Sequence, residues 1–88
     1  MKVLKVGTIW CSGCIVMKPR WAQIQLEYPW LESISYDGDE ETEIVEQYHI
    51  TDFPTYIFVD KDGKELKRFE GEVSKKVLIE TILKYKDQ

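Results

Sequence analysis

The sequence predicts an α/β domain of order βαβαββα on a mixed four-stranded sheet, and three observations predict it. An apolar strand near the N-terminus runs straight into two cysteines spaced C-x-x-C, Cys11 and Cys14. A stretch with helical apolar spacing then separates that strand from a second one, an order that implies parallel pairing. Two later β-rich runs flank an Asp-Gly turn, as in an antiparallel hairpin.

The first strand is expected over residues 3–9, alternating and ending on Ile9, with Trp10 and Cys11 at the junction to a helix. From Ser12 to about Tyr28 the apolar residues Ile15, Val16, Trp21, Ile24 and Leu26 recur at roughly helical intervals, and Pro19 lies inside the pattern, so one kinked helix is predicted. After the Pro29 break, residues 31–36 form the second strand, closed by Asp37 and Gly38. Asp39 is the expected cap of a second helix ending near His49, with Glu40, Glu41 and Glu43 in its first turn and Ile44, Val45 and Tyr48 inward. Thr55 to Val59 and Glu65 to Glu70 form the hairpin around Asp60, Lys61, Asp62 and Gly63. Ser74 caps the last helix, which carries Val77, Leu78, Ile82 and Leu83 on one side and Lys84 and Lys86 at its C-terminal end.

Composition bounds the function. Eighty-eight residues suffice for one core and no more, so residues 1–88 are read as a single domain. A 43% hydrophobic share with 12% aromatics belongs to a globular chain rather than a disordered one. The net charge of −4 lacks the basic footprint that phosphate neutralisation demands, which sets nucleic acid aside as a partner. Met1 to Val6 carries Lys2 and Lys5 but no apolar run of signal-peptide length, and no stretch approaches ~20 apolar residues, so neither export nor a membrane is expected. Two cysteines do not make a disulfide-stapled scaffold; a reducing cytoplasm is the expected location, and there a C-x-x-C pair is redox-active or metal-bound.

Helical residues three apart lie on one face at ~5 to 6 Å, within the Cα separation that a disulfide tolerates. Cys11, before the first turn, faces unpaired backbone N–H groups and the positive end of the helix dipole, which favour a thiolate nucleophile. Cys14, one turn further in and expected to be the more buried of the two, suits the resolving role. The cycle is attack by Cys11 on a substrate disulfide, then attack by Cys14 on the mixed disulfide, which leaves the two cysteines bonded and requires an external reductant. A zinc site wants four ligands, and only His49 remains as a nitrogen donor, so no metal and no cofactor are expected.

Trp10-Cys11-Ser12-Gly13-Cys14, Pro19 five residues on, and Phe53-Pro54-Thr55 about forty residues later resemble the thioredoxin family, over nearly the whole chain. The resemblance implies a three-layer α/β/α sandwich without the family's extra N-terminal strand and helix. It further implies sheet order 2-1-3-4 with the last strand pair antiparallel, and the first and third helices on one face. It implies a cis Pro54 beside the cysteines, and Gly71 as the small residue that lets a substrate approach. Trp10, Ser12, Gly13, Phe53, Pro54 and Gly71 are thereby expected to bind substrate. Protein disulfides are the implied substrate, a reductase or a small thiol the electron donor, and a monomer the working unit.

Two residues depart from the family pattern. Ser12-Gly13 stands where Gly-Pro is usual, a dipeptide that influences redox potential and keeps a disulfide oxidase or isomerase in play. Lys5, six residues before Cys11, stands where a buried acid usually helps to move the resolving cysteine's proton; it is read here as a lysine reaching solvent at a strand end. The Thr-Val-Pro and paired-glycine signature of glutaredoxins is absent, and a redox-locked binding module is the alternative from another class. Trp21 and Trp30 are read as packing residues, His49 as a helix-ending residue that tolerates left-handed backbone, and the five tyrosines as core. Asp37, Asp39 and Glu41 lack the glycine and closing glutamate of a calcium loop and are read as solvated or capping.

Overall fold

A computed structural model describes all of residues 1–88. The elements are β1 (Lys2–Gly7), α1 (Ser12–Glu27), β2 (Glu32–Asp37), α2 (Thr42–Gln47), β3 (Thr55–Val59), β4 (Glu65–Glu70) and α3 (Lys75–Tyr85). The sheet runs β2-β1-β3-β4. β1 pairs in parallel with β2 and antiparallel with β3, and β3 pairs antiparallel with β4. The βαβ unit gives the parallel pair, because a helix must carry the chain back before the second strand starts. All five residues of β3 are buried, as expected of a central β-branched and aromatic strand covered on both faces.

Alternation along the strands divides the interior into two cores. On the face of α1 and α3, Val3, Tyr56 and Phe58 from the sheet pack with Met17, Trp21 and Ile24 from α1 and Leu78 and Ile82 from α3. On the opposite face, Leu4, Val6, Ile57 and Val59 pack with Ile44 of α2 and with Ile50. Arg20 Nη1 donates to the Val73 carbonyl at 2.6 Å, and Lys75 pairs with Glu27 at 2.9 Å; both join α1 to the start of α3.

Several expectations are corrected. β1 stops at Gly7, and a turn closed by the Cys11 N–H and the Thr8 carbonyl, 3.4 Å apart, separates it from α1. Met17, Trp21 and Ile24 form the buried stripe of α1, spaced four and three apart; Ile15, Val16 and Leu26 fall off that stripe and are exposed. In α3, Leu78, Thr81 and Ile82 are buried while Val77 and Leu83 are exposed. Trp30 is also exposed, edge-on to Tyr28, and packs into neither core. The cap position of α2 is Glu41, which makes no side-chain cap bond, and Asp39 is engaged elsewhere. The cap of α3 is Ser74, whose hydroxyl accepts from the Val77 N–H at 3.3 Å. His49 has φ of 52°, the left-handed conformation that ends α2.

Candidate active site

α1 begins under its own cysteine. Cys11 is the N-cap residue, in extended backbone, and its Sγ accepts the Cys14 N–H at 3.2 Å. That bond satisfies one of the donors left unpaired at a helix start, and it holds the two sulfur-bearing residues on the same side of the first turn. Both cysteines are reduced. Cys11, the residue that closes the turn from Thr8, is the more buried and Cys14 the less, the reverse of the sequence expectation. Cys14 rests directly on β1: a Cβ added to Gly7 would lie 2.8 Å from Cys14 Sγ, so the bare backbone of Gly7 makes room for the sulfur.

Burial pushes the Cys14 thiol up to about 11, with its hydrogen bond to Cys11 and the charge of Cys11 adding to the rise and a backbone hydrogen bond from Thr8 opposing it. A thiol so placed stays protonated while its partner reacts. That is the division of labour a two-step exchange needs.

Pro54 gathers the other expected residues. The Phe53–Pro54 peptide is cis. Gly13 lies against the proline ring, where an added Cβ would come within 2.9 Å of Pro54 Cδ. The Gly71 N–H donates to the Pro54 carbonyl at 2.8 Å, which draws the end of β4 to the site; Gly71 has φ of 82°, and no atom lies within 4 Å of where a Cβ would be, so open space faces it. Ser12 is exposed on the first turn of α1. Trp10 is 67% exposed, set edge-on to Phe53 with ring centroids 6.1 Å apart.

Two residues of this arrangement escaped the sequence reading. Asp39 accepts the Trp10 indole N–H at 2.7 Å, which fixes the plane of an otherwise exposed ring. Gly38 backs Phe53: a Cβ there would lie 2.5 Å from the ring. An indole N–H seeking an acceptor was the available signal, but its partner is 29 positions away and no local spacing marks it. Tyr56, read as core, stacks on Trp21 at 5.3 Å and feels both cysteines; burial first, then the charges of Cys14 and Cys11, push its phenol up to about 12. Lys5 is half-buried in mid-strand rather than reaching out at a strand end, with Nζ 5.6 Å from the centre of the Trp21 ring. No group of three His, Cys, Asp or Glu side chains is arranged to hold a metal ion, and no helix is long and apolar enough to cross a membrane.

The fold and the site together are a mixed four-stranded α/β sheet that carries a C-x-x-C pair at the start of its first helix, packed against the Pro54 loop. The sequence profile of the family described as Thioredoxin matches residues 2–84, and the chain belongs to that family. Thioredoxin H5 of Oryza sativa subsp. japonica is 39% identical over 69 residues, 78% of this chain and 50% of that protein. A thioredoxin of Chlamydia trachomatis is 34% identical over 86% of this chain and 74% of its own length. The chain thus spans about half the length of the rice protein and about three quarters of the bacterial one. Among solved structures, Fasciola hepatica thioredoxin superposes with a TM-score of 0.83 at 34% identity, covering 94% of this chain and 78% of that one. Thioredoxin 1 of Thermosipho africanus superposes with a TM-score of 0.83 at 29% identity, covering 99% and 96%. Members of this family are disulfide oxidoreductases.

Proposed function

We propose that this chain is a single-domain thiol-disulfide oxidoreductase that reduces disulfides of protein substrates in the cytoplasm, working as a monomer and recharged by a reductase or a small thiol. The observation that carries the reading is the hydrogen bond from the Cys14 N–H to Cys11 Sγ at the start of α1. The Cys11 sulfur is thereby held at the start of α1, and the second thiol waits one turn away.

Cys11 attacks one sulfur of the substrate disulfide. A bond forms between Cys11 and that sulfur, and the other substrate sulfur leaves with the electron pair and takes up a proton. Cys14 then loses its proton and attacks Cys11 Sγ; the intramolecular disulfide forms, and the first substrate sulfur leaves as a thiolate. Two electrons have passed to the substrate, and the donor restores both thiols. Trp10, Phe53, Pro54, Gly13 and Gly71 form the surface around this chemistry, with Ser12 at its edge. The open space at Gly71 and the exposed indole of Trp10 favour an extended peptide as the occupant.

The test is the reduction potential of the Cys11–Cys14 couple, measured in defined thiol buffers by tryptophan fluorescence. A value at or below the cytosolic glutathione poise of roughly −220 to −320 mV is expected of a reductant. A value above about −200 mV would make the protein an oxidant or isomerase, and the absence of a reversible couple would remove the enzyme reading. Cys11→Ser is expected to abolish turnover, whereas Cys14→Ser leaves a trapped mixed disulfide.

A further inference from the structure

One row across the sheet carries a polar pair that the exchange chemistry described above leaves unused. Lys5 of β1 is the register partner of Tyr56 of β3, so both side chains leave the same face of the sheet, beneath α1. Gly7, two residues along on that face, is where Cys14 Sγ sits. Lys5, Tyr56, Cys14 and Trp21 line one open cavity of about 1040 Å³ between α1 and the β2 edge. Trp21 joins the pair physically: it stacks on Tyr56, and the Lys5 ammonium lies over its ring. A row of this kind in a core is ordinarily apolar, as Val3 and Phe58 are one row away.

Lys5 takes no part in the ion pairs of the chain, which use Arg68 and Lys75. Of the other charged groups around the cavity, Lys18 and Glu32 are exposed, as are Glu40 and Glu41 at the mouth, where solvent screens them. Tyr36 and Asp37 of β2 are half-buried, and an Asp37 carboxylate oxygen accepts the Asp39 N–H at 2.9 Å. Arg20 of α1, which also acts on Tyr56, is committed to the Val73 carbonyl. Lys5 is therefore the cation left lining the inner cavity, and Tyr56 the phenol that shares the cavity wall with Cys14.

We propose that Lys5 and Tyr56 are positioning residues for the second step of the exchange: together they stabilise the Cys14 thiolate as it forms against the Cys11 mixed disulfide. This rests on the oxidoreductase reading. When Cys14 gives up its proton, the proton passes to solvent in the open cavity; the negative sulfur then shares that cavity with the Lys5 ammonium and the Tyr56 side chain. The Cys14 thiolate attacks Cys11 Sγ, the Cys11–Cys14 bond forms, and the substrate sulfur departs with the electron pair. Lys5 stays protonated throughout, because its role is charge and not proton acceptance. Burial lowers its proton affinity and raises that of Cys14, so in the resting protein neither gives the other its proton.

The experiment uses the reduced full chain and a bis(nitrobenzoate) disulfide, which releases one coloured thiolate when Cys11 attacks and a second when Cys14 resolves. Lys5→Met is expected to leave the first phase within about twofold, to slow the second about tenfold at neutral pH, and to move the midpoint of its pH profile up by about one unit, the equivalent of that tenfold loss. Tyr56→Phe gives a smaller change of the same sign, and Lys5→Arg restores the fast second phase. Circular dichroism checks folding, and Lys5→Gln repeats the measurement if Lys5→Met does not fold. An unchanged second phase and pH midpoint overturn the proposal, as does equal slowing of both phases, which marks a scaffold effect. A wild-type protein that releases no first thiolate overturns the oxidoreductase reading instead.

Discussion

The two faces of the sheet are covered unequally. Beneath α1 and α3 lies a buried cluster of nine residues that includes Trp21, Tyr56 and Phe58; beneath the six-residue α2 lies one of six, all aliphatic. The site straddles the difference. Cys14 belongs to the deep face, resting on Gly7 and beside Tyr56, whereas Phe53 packs on the shallow cluster and carries Trp10 out to solvent. Chemistry that needs fixed sulfur geometry is thus mounted on the part of the molecule that is hardest to deform. The aromatic surface rests where adaptation to varied substrates is cheapest.

The largest expected effect tests that inequality. Phe58 is fully buried between both helices and set edge-on to Phe69, so Phe58→Ala is expected to cost about 3–5 kcal/mol. Ile44→Ala removes the buried residue of α2 from a face that can settle onto the gap, and is expected to cost about 2 kcal/mol, the low end for such truncations. Urea unfolding of both variants decides it: equal losses would break the comparison. Gly38→Ala sharpens the comparison at the site. Its added methyl meets the Phe53 ring, so a loss of about 1–3 kcal/mol is expected, together with weaker substrate binding and little change in the first chemical step of a small disulfide.

The pH dependence reports on the deep face without mutation, since Cys14, Tyr56 and Lys5 all belong to it. Cys14 is raised from 9.0 to about 11 in the folded protein, so its contribution to stability is fully present below pH 9 and is lost as pH climbs towards 11, where the unfolded chain alone has ionised. Tyr56, raised from 10.0 to about 12, acts in the same direction at higher pH. Lys5 acts oppositely: its proton affinity is lowered by burial, so its penalty is felt below the folded value and fades as pH rises to 10.5. The expected net result for the reduced protein is a urea midpoint that falls as pH rises from 9 towards 11. Cys14→Ser should flatten that fall.

The order of elements along the chain, the hairpin and the cysteine position were legible because each rests on local chemistry: β-branched runs, an Asp-Gly turn, and a cysteine pair placed at a helix start; the order of strands within the sheet came only with the family resemblance. Burial along the helices was read less well. Ile15 and Leu26 have the spacing of core residues, but which stripe of α1 faces the sheet depends on the turn after Gly7, and Met17 took the buried place. Trp30 illustrates the same limit, since nothing local tells a packed tryptophan from an exposed one. Asp39 looked like a helix cap because the acids around it favour a helix N-terminus; its engagement by Trp10 is a tertiary choice, invisible at a separation of 29 positions. Lys5 marked itself by departing from a family pattern, yet only the sheet register pairs it with Tyr56.

The smallest effect concerns that Trp10–Asp39 bond, and it sharpens the contrast where the shallow face meets solvent. The bond is short, at 2.7 Å, but both residues are exposed, so water replaces either partner readily. Asp39→Ala is expected to cost no more than about 0.5–1 kcal/mol in unfolding free energy. Its mark should appear in the indole instead: a Trp10 ring no longer pinned to Asp39 can swing from Phe53, widening its fluorescence anisotropy decay while the buried Trp21 is unaffected. Loss of the pinned ring should raise KM for a protein disulfide several-fold and leave the reaction with a small disulfide unchanged. A parallel fall in both reactions would place Trp10 in the rigid half of the site, and the division between a fixed chemical face and an adaptable aromatic one would have to be redrawn.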